Sequence, residues 1–116
     1  MYRQGDVLII PMHKQNFKQA RKRKPENGRV VLAYGEATGH AHTMDADAVR
    51  LFEAVDDDDT MITEVLMVDQ ATLLTHQEHY PIRVPRGMYR IVHQREYVPR
   101  PRAHSMNWTG TVTVVD

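Results

Sequence analysis

Apolar residues in this chain fall in short runs and not in helical stripes. Val7-Leu-Ile-Ile-Pro11 is an apolar run preceded by the turn signal Gly5-Asp6, which suits a strand buried on both faces. Arg29 to Tyr34 reads as a second strand, entered from the turn Pro25-Glu-Asn-Gly28. Ala48 to Val55 fits a helix capped by Asp45, with Val49, Phe52 and Val55 inward, but its Val-Arg-Leu-Phe order favours a strand. Thr60 to Val68 is rich in β-branched residues, and Thr72 to His76 continues the pattern. His79-Tyr80-Pro81 reads as a turn into Ile82 to Val84, and Pro85-Arg-Gly87 as another. Met88 to Val98 is the longest candidate strand, stopped by Pro99 and Pro101, and a last strand is expected from Gly110 to Val115.

Between these runs lie polar segments. Asp56 to Asp59 reads as a solvated hairpin loop, because adjacent like charges stay in water. Residues 12 to 28 are polar and basic, and predict either a long surface loop or a short exposed helix from Asn16 to Arg23. Strands this short, with turns between them, predict a single all-β domain over residues 1–116. The expected architecture is a small β-barrel or sandwich with a long basic loop near the N-terminus. Met44, Met61, Met67 and Met88 fall on apolar strand faces as core filler.

Composition narrows the function classes. The 116 residues suit one domain, and the absence of cysteine excludes disulfides and thiolate metal sites. No apolar run approaches the roughly 20 residues of a membrane span, and the first residues lack a signal peptide's apolar stretch. No membrane association and a cytoplasmic location are therefore the expectation. Fifteen basic and fifteen acidic residues cancel, so net charge implies no general preference for nucleic acid or acidic lipid.

Seven histidines carry most of the chemical signal. His40 and His42 are two apart, so an extended backbone projects both imidazoles from one face. Two imidazoles from one strand can reach one metal or one phosphate, and neutral imidazole is a common transition-metal ligand. Alternation along Met88 to Val98 puts Tyr89, Ile91 and His93 on one face. His76 and His79 flank Gln77-Glu78 just before it. Any of these three histidines could complete a site with His40 and His42. The plainer reading makes His93 a packed strand residue and His76 and His79 turn residues.

The pattern Gly35 followed by His40-Ala-His42, with Pro85-Arg-Gly87 preceding His93, resembles the two motifs of the cupins. Cupins are small β-barrels that hold a metal with histidines. The resemblance spans about residues 35 to 93 and implies His40, His42 and His93 as ligands. The whole chain also looks like the small uncharacterised proteins of bacteria and phages.

Three functions follow as expectations. The first is a metal-binding barrel, hydrolytic or ligand-sensing, in which His40, His42, His79 and His93 supply the ligands. The metal would be divalent zinc, iron, nickel or manganese, with Glu36 as a nearby base. The second is a metal-free, histidine-dependent ribonuclease, in which His40 and His42 exchange protons beside Tyr89 on a phosphodiester substrate. The third is a binding module for nucleic acid or protein. It would use Lys14 to Lys24 and the arginine and tyrosine series from Tyr80 and Arg83 to Arg95 and Tyr97. The bland counterpart of the third is a solvated loop and a charged sheet face. Exposed strand edges make a homodimer an expectation as well.

Overall fold

A computed structural model describes residues 1–13, 17, 19–35, 39–55 and 62–94. Glu36, Asp56 to Asp59, Arg95, Tyr97 and the expected last strand lie outside the described residues, as do Lys14 and Lys18. Ten strands make up the regular structure. They are β1 (Tyr2–Gln4), β2 (Val7–Pro11), β3 (Gln19–Lys22), β4 (Arg29–Tyr34), β5 (Ala41–Asp45), β6 (Val49–Val55), β7 (Ile62–Val68), β8 (Thr72–His76), β9 (His79–Val84) and β10 (Gly87–His93). No helix occurs among the described residues, and none is therefore long and apolar enough to cross a membrane.

The strands form two antiparallel sheets, ordered β1-β2-β10-β7-β6-β3 and β4-β5-β8-β9. The fold is a sandwich and not a closed barrel. Its shared core takes Val7, Ile9, Leu51, Leu66 and Ile91 from the first sheet and Val30, Leu32, Met44, Leu74 and Val84 from the second. Leu51, Leu66 and Leu74 are completely buried, and each such leucine contributes roughly 1.5–3 kcal/mol. The far face of the six-stranded sheet carries a second apolar cluster of Ala20, Phe52, Ala54 and Val65, with Met12, Phe17, Met67 and Met88 against it.

Residues 49–55 are strand, in continuous register with β7 from Val49↔Val68 to Val55↔Ile62. The basic stretch departs from both expectations. Gln19–Lys22 is neither loop nor helix but an edge strand on β6, because Ala20 has a buried place beside Phe52 and Ala54. His79-Tyr80-Pro81 is also not a turn. The hairpin turns at Gln77-Glu78 and β9 begins at His79. Pro81 is tolerated there because β9 ends the four-stranded order, where a missing N–H breaks no central ladder.

Candidate functional site

The site grows out of the core by strand alternation. On β5, Met44 and His42 share the inward face, and both are almost fully buried. On β8 the inward Leu74 is followed two residues later by His76. Thr43↔Thr75 pairing sets the two strands side by side, and the hairpin pairs His76 with His79. At one end of the sandwich the apolar column thus gives way to imidazoles. His76 lies 4.3 Å from His42, 4.7 Å from His79 and 5.8 Å from His40, between ring centroids. His42 and His79 lie 5.8 Å apart, nearly parallel.

Polar contacts lock the two histidine segments together. The Gln77 side chain accepts the Ala41 N–H at 2.9 Å and donates to the Gly39 carbonyl at 3.1 Å. Glu78 Oε2 stands 3.1 Å from His40 Nδ1. Gln-Glu between His76 and His79 is therefore the clamp on Gly-His-Ala-His.

His42 is oriented from the other sheet. Gln4, equally buried on β1, donates from Nε2 to the carbonyls of Leu74 and Tyr80 at 3.0 and 2.9 Å. Those two bonds aim Gln4 Oε1 at His42 Nδ1, 2.8 Å away. An amide oxygen only accepts, so Nδ1 carries the proton and the lone pair of the neutral ring is on Nε2. That nitrogen lies 3.8 Å from Asp6 Oδ1. Gly5, at φ +59°, runs directly beneath, and a Cβ there would come within 2.9 Å of His79 Nε2 and 3.3 Å of His42 Cε1.

His76 has the opposite tautomer. Its Nδ1 accepts the Glu78 N–H at 3.0 Å, so Nε2 carries the proton of the neutral ring. Burial holds its pKa below the ordinary histidine value, and the neighbouring His79 and His40 push it the same way.

The remaining expected residues go elsewhere. His93 continues the core-side face of Tyr89 and Ile91, but beyond the covered core, where Nε2 meets Glu64 Oε1 at 2.6 Å. No ring contact joins it to the other four, because that end of β10 faces a charged row and not β5 and β8. Tyr89 is a core residue whose hydroxyl donates to the Pro85 carbonyl at 2.7 Å, with its ring edge-on to Tyr2. Arg83 and Arg90 belong to different sheets, so they do not form one strip with the exposed Tyr80. Arg21 and Arg23 are engaged by Glu53, and Arg23 also by Glu64. Gln4 and Asp6 were not legible as site residues. Gly5-Asp6 reads only as a turn, and a lone glutamine carries no signal. As the side chains stand, no three or more histidines and carboxylates among the described residues converge as a metal site.

A family model described as Domain of unknown function (DUF8820) matches residues 3–94, which takes in every residue of this cluster. It is not a cupin model, so the cupin resemblance gains no support from it. Neither the curated proteins nor the solved structures hold a match to this chain.

Proposed function

We propose that this chain, which belongs to the DUF8820 family of domains of unknown function, binds a divalent transition metal at the end of the sandwich. His42 Nε2 and the Asp6 carboxylate are the founding ligands and His79 the third. The observation that carries the reading is the pairing of His42 Nε2 with Asp6 Oδ1 at 3.8 Å while Gln4 holds the proton on Nδ1. Two electron-pair donors face each other, an arrangement that a cation between them stabilises. Two ligands at about 2.1 Å in a tetrahedral site stand about 3.4 Å apart, so only a small closure is needed. His79 is exposed, its Nε2 lies beside Gly5, which has no Cβ to displace it, and the reading requires its ring to turn toward the same point. A ligating histidine normally gives its other N–H to an oxygen, as His42 does to Gln4.

Two histidines and one carboxylate leave coordination positions for water or a small ligand, the requirement for hydrolytic or sensing roles. Zinc, iron, nickel and manganese all accept such a donor set. Elemental analysis of untagged protein tests the reading, with His42→Ala/His79→Ala and His93→Ala beside it. About one equivalent of metal is expected in the wild type and in His93→Ala, and none in the double variant. A folded wild type that carries no metal and takes up none of the four ions overturns it. RNA cleavage in EDTA that is lost in His42→Ala would install the metal-free centre in its place.

A further inference from the structure

We infer that the far face of the six-stranded sheet, around Arg90, is a docking surface for an acidic amphipathic helix of a partner protein. The inference is independent of the metal reading, because this face is turned away from the shared core that leads to the histidines.

The sequence itself asks for a second cover on this sheet. Val7-Leu-Ile-Ile and Val65-Leu-Met-Val are continuous apolar runs, the pattern of strands covered on both faces. The four-stranded sheet covers one face only. Ile9, Leu66, Tyr89 and Ile91 belong to the shared core. Alternation therefore turns Ile10, Met67, Met88, Arg90 and Val92 the other way. Register sets Met88 beside Met67, and the Met12 N–H donates to the Met88 carbonyl at 3.0 Å, which makes a row of three methionines. In the next row Arg90 stands between Ile10 and Val65. Val65 is buried, but Ile10, Met12, Met67, Met88 and Val92 are only partly so.

Arg90 indicates what the cover carries. It lies on an inner strand of this apolar face and is itself partly buried. Among the described residues its guanidinium has no hydrogen bond or ion pair. The other charged side chains at strand positions of this face are Arg3, Lys22 and Arg50, and none is a carboxylate. A guanidinium among apolar side chains binds a carboxylate strongly, because little water competes for it. Two copies stacked here would set basic face against basic face, so a second copy does not fit. A single strand adds to the edge of a sheet, whereas an open face is covered by a helix or another sheet. Methionines repack readily around a helix. An amphipathic helix with apolar side chains on the methionines and Ile10, and a carboxylate on Arg90, meets all of these demands.

The test uses the full chain and two synthetic amphipathic peptides of about 18 residues, long enough to form a helix in water. Both present leucines on one face. One has a glutamate in the middle of that face and the other a glutamine. Binding is read by fluorescence anisotropy, and circular dichroism checks that each variant is folded. The wild type is expected to bind the glutamate peptide about tenfold more tightly than the glutamine peptide, the usual gain from a hydrogen bond to a charged group. Arg90→Gln is expected to bind both and to lose that preference, which isolates the pair. Met67→Ala/Met88→Ala is expected to weaken both peptides, and Arg83→Gln, on the other sheet, to change neither. Wild type that binds neither peptide overturns the inference, and so does a preference for glutamate that survives Arg90→Gln. Sedimentation of the wild type as a dimer that Met88→Lys dissociates would give the face to a second copy and overturn it too. Binding to phosphatidylglycerol vesicles or to single-stranded RNA that Arg90→Gln abolishes, with no peptide bound, would give it to lipid or nucleic acid with the same result.

Discussion

Gln4 and His42 meet in the protein interior through a contact of 2.8 Å between Oε1 and Nδ1, although they stand on different sheets. The amide has one workable orientation, because its reverse would set Oε1 against two carbonyl oxygens. Gln4→Leu removes all three hydrogen bonds and leaves two carbonyls and a ring N–H buried. Urea unfolding is expected to show a loss of about 1–3 kcal/mol. Metal affinity is expected to fall about ten- to a hundredfold, as when the residue behind a ligand is removed.

Gly5 and Gly28 offer a matched pair. Both have left-handed backbones, at φ +59° and +76°, but a Cβ on Gly28 meets nothing within 4 Å. Gly28→Ala is expected to cost only the backbone strain, about 1–2 kcal/mol, and to leave metal content unchanged. Gly5→Ala is expected to cost more than that and to lose metal, because the new methyl takes the place of the His79 ring tip. Thermal unfolding and elemental analysis of the two variants separate strain from displacement.

These two residues also mark the boundary of what could be read in the chain. Apolar runs such as Val7 to Pro11 and Arg29 to Tyr34 declare strands locally, because burial of their side chains is written in consecutive residues. β3 hides behind its charges, with Ala20 the single buried residue in Gln-Ala-Arg-Lys. β1 is three residues long, and with it goes Gln4. The histidines were legible as a set, and alternation correctly gave His93 the face of Tyr89 and Ile91. What alternation does not contain is how far the second sheet extends over that face, or that β5 lies beside β8. His76 and not His93 joins His40 and His42 for that reason.

His93 supports a prediction about pH. Its hydrogen bond to Glu64 raises its pKa above the usual histidine value, aided by the charges of Glu64 and Asp6 and opposed by burial and Arg23. A raised folded value means that the protonated ring stabilises the fold. That contribution is fully present below the unfolded value of about 6.5 and disappears as pH rises through the folded one. The stability advantage of wild type over His93→Ala is therefore expected below about pH 6.5 and to shrink as pH rises above it. Glu64→Gln is expected to lower the His93 titration midpoint in an NMR experiment. An unmoved midpoint would show that Glu64 is not the cause.

The carboxylates beside His93 explain why part of the basic stretch is folded into the sheet. Register places Glu53 of β6 directly opposite Glu64 of β7, a like-charge pair that would weaken the sheet alone. Arg21 pairs with Glu53, and Arg23 Nη2 reaches Glu53 Oε2 at 3.7 Å and Glu64 Oε2 at 3.4 Å. Arg23 is more than a third exposed, so screening limits its share to no more than about 1 kcal/mol. The informative measurement is a double-mutant cycle. Arg23→Ala is expected to destabilise the wild type measurably at low salt and to cost less in a Glu64→Gln background, where only one carboxylate remains to be neutralised. Both differences are expected to fade as salt rises. Equal cost in the two backgrounds would mean that Arg23 acts through packing of its stem and not through its charge, and would detach the basic stretch from the glutamate pair it is argued to neutralise.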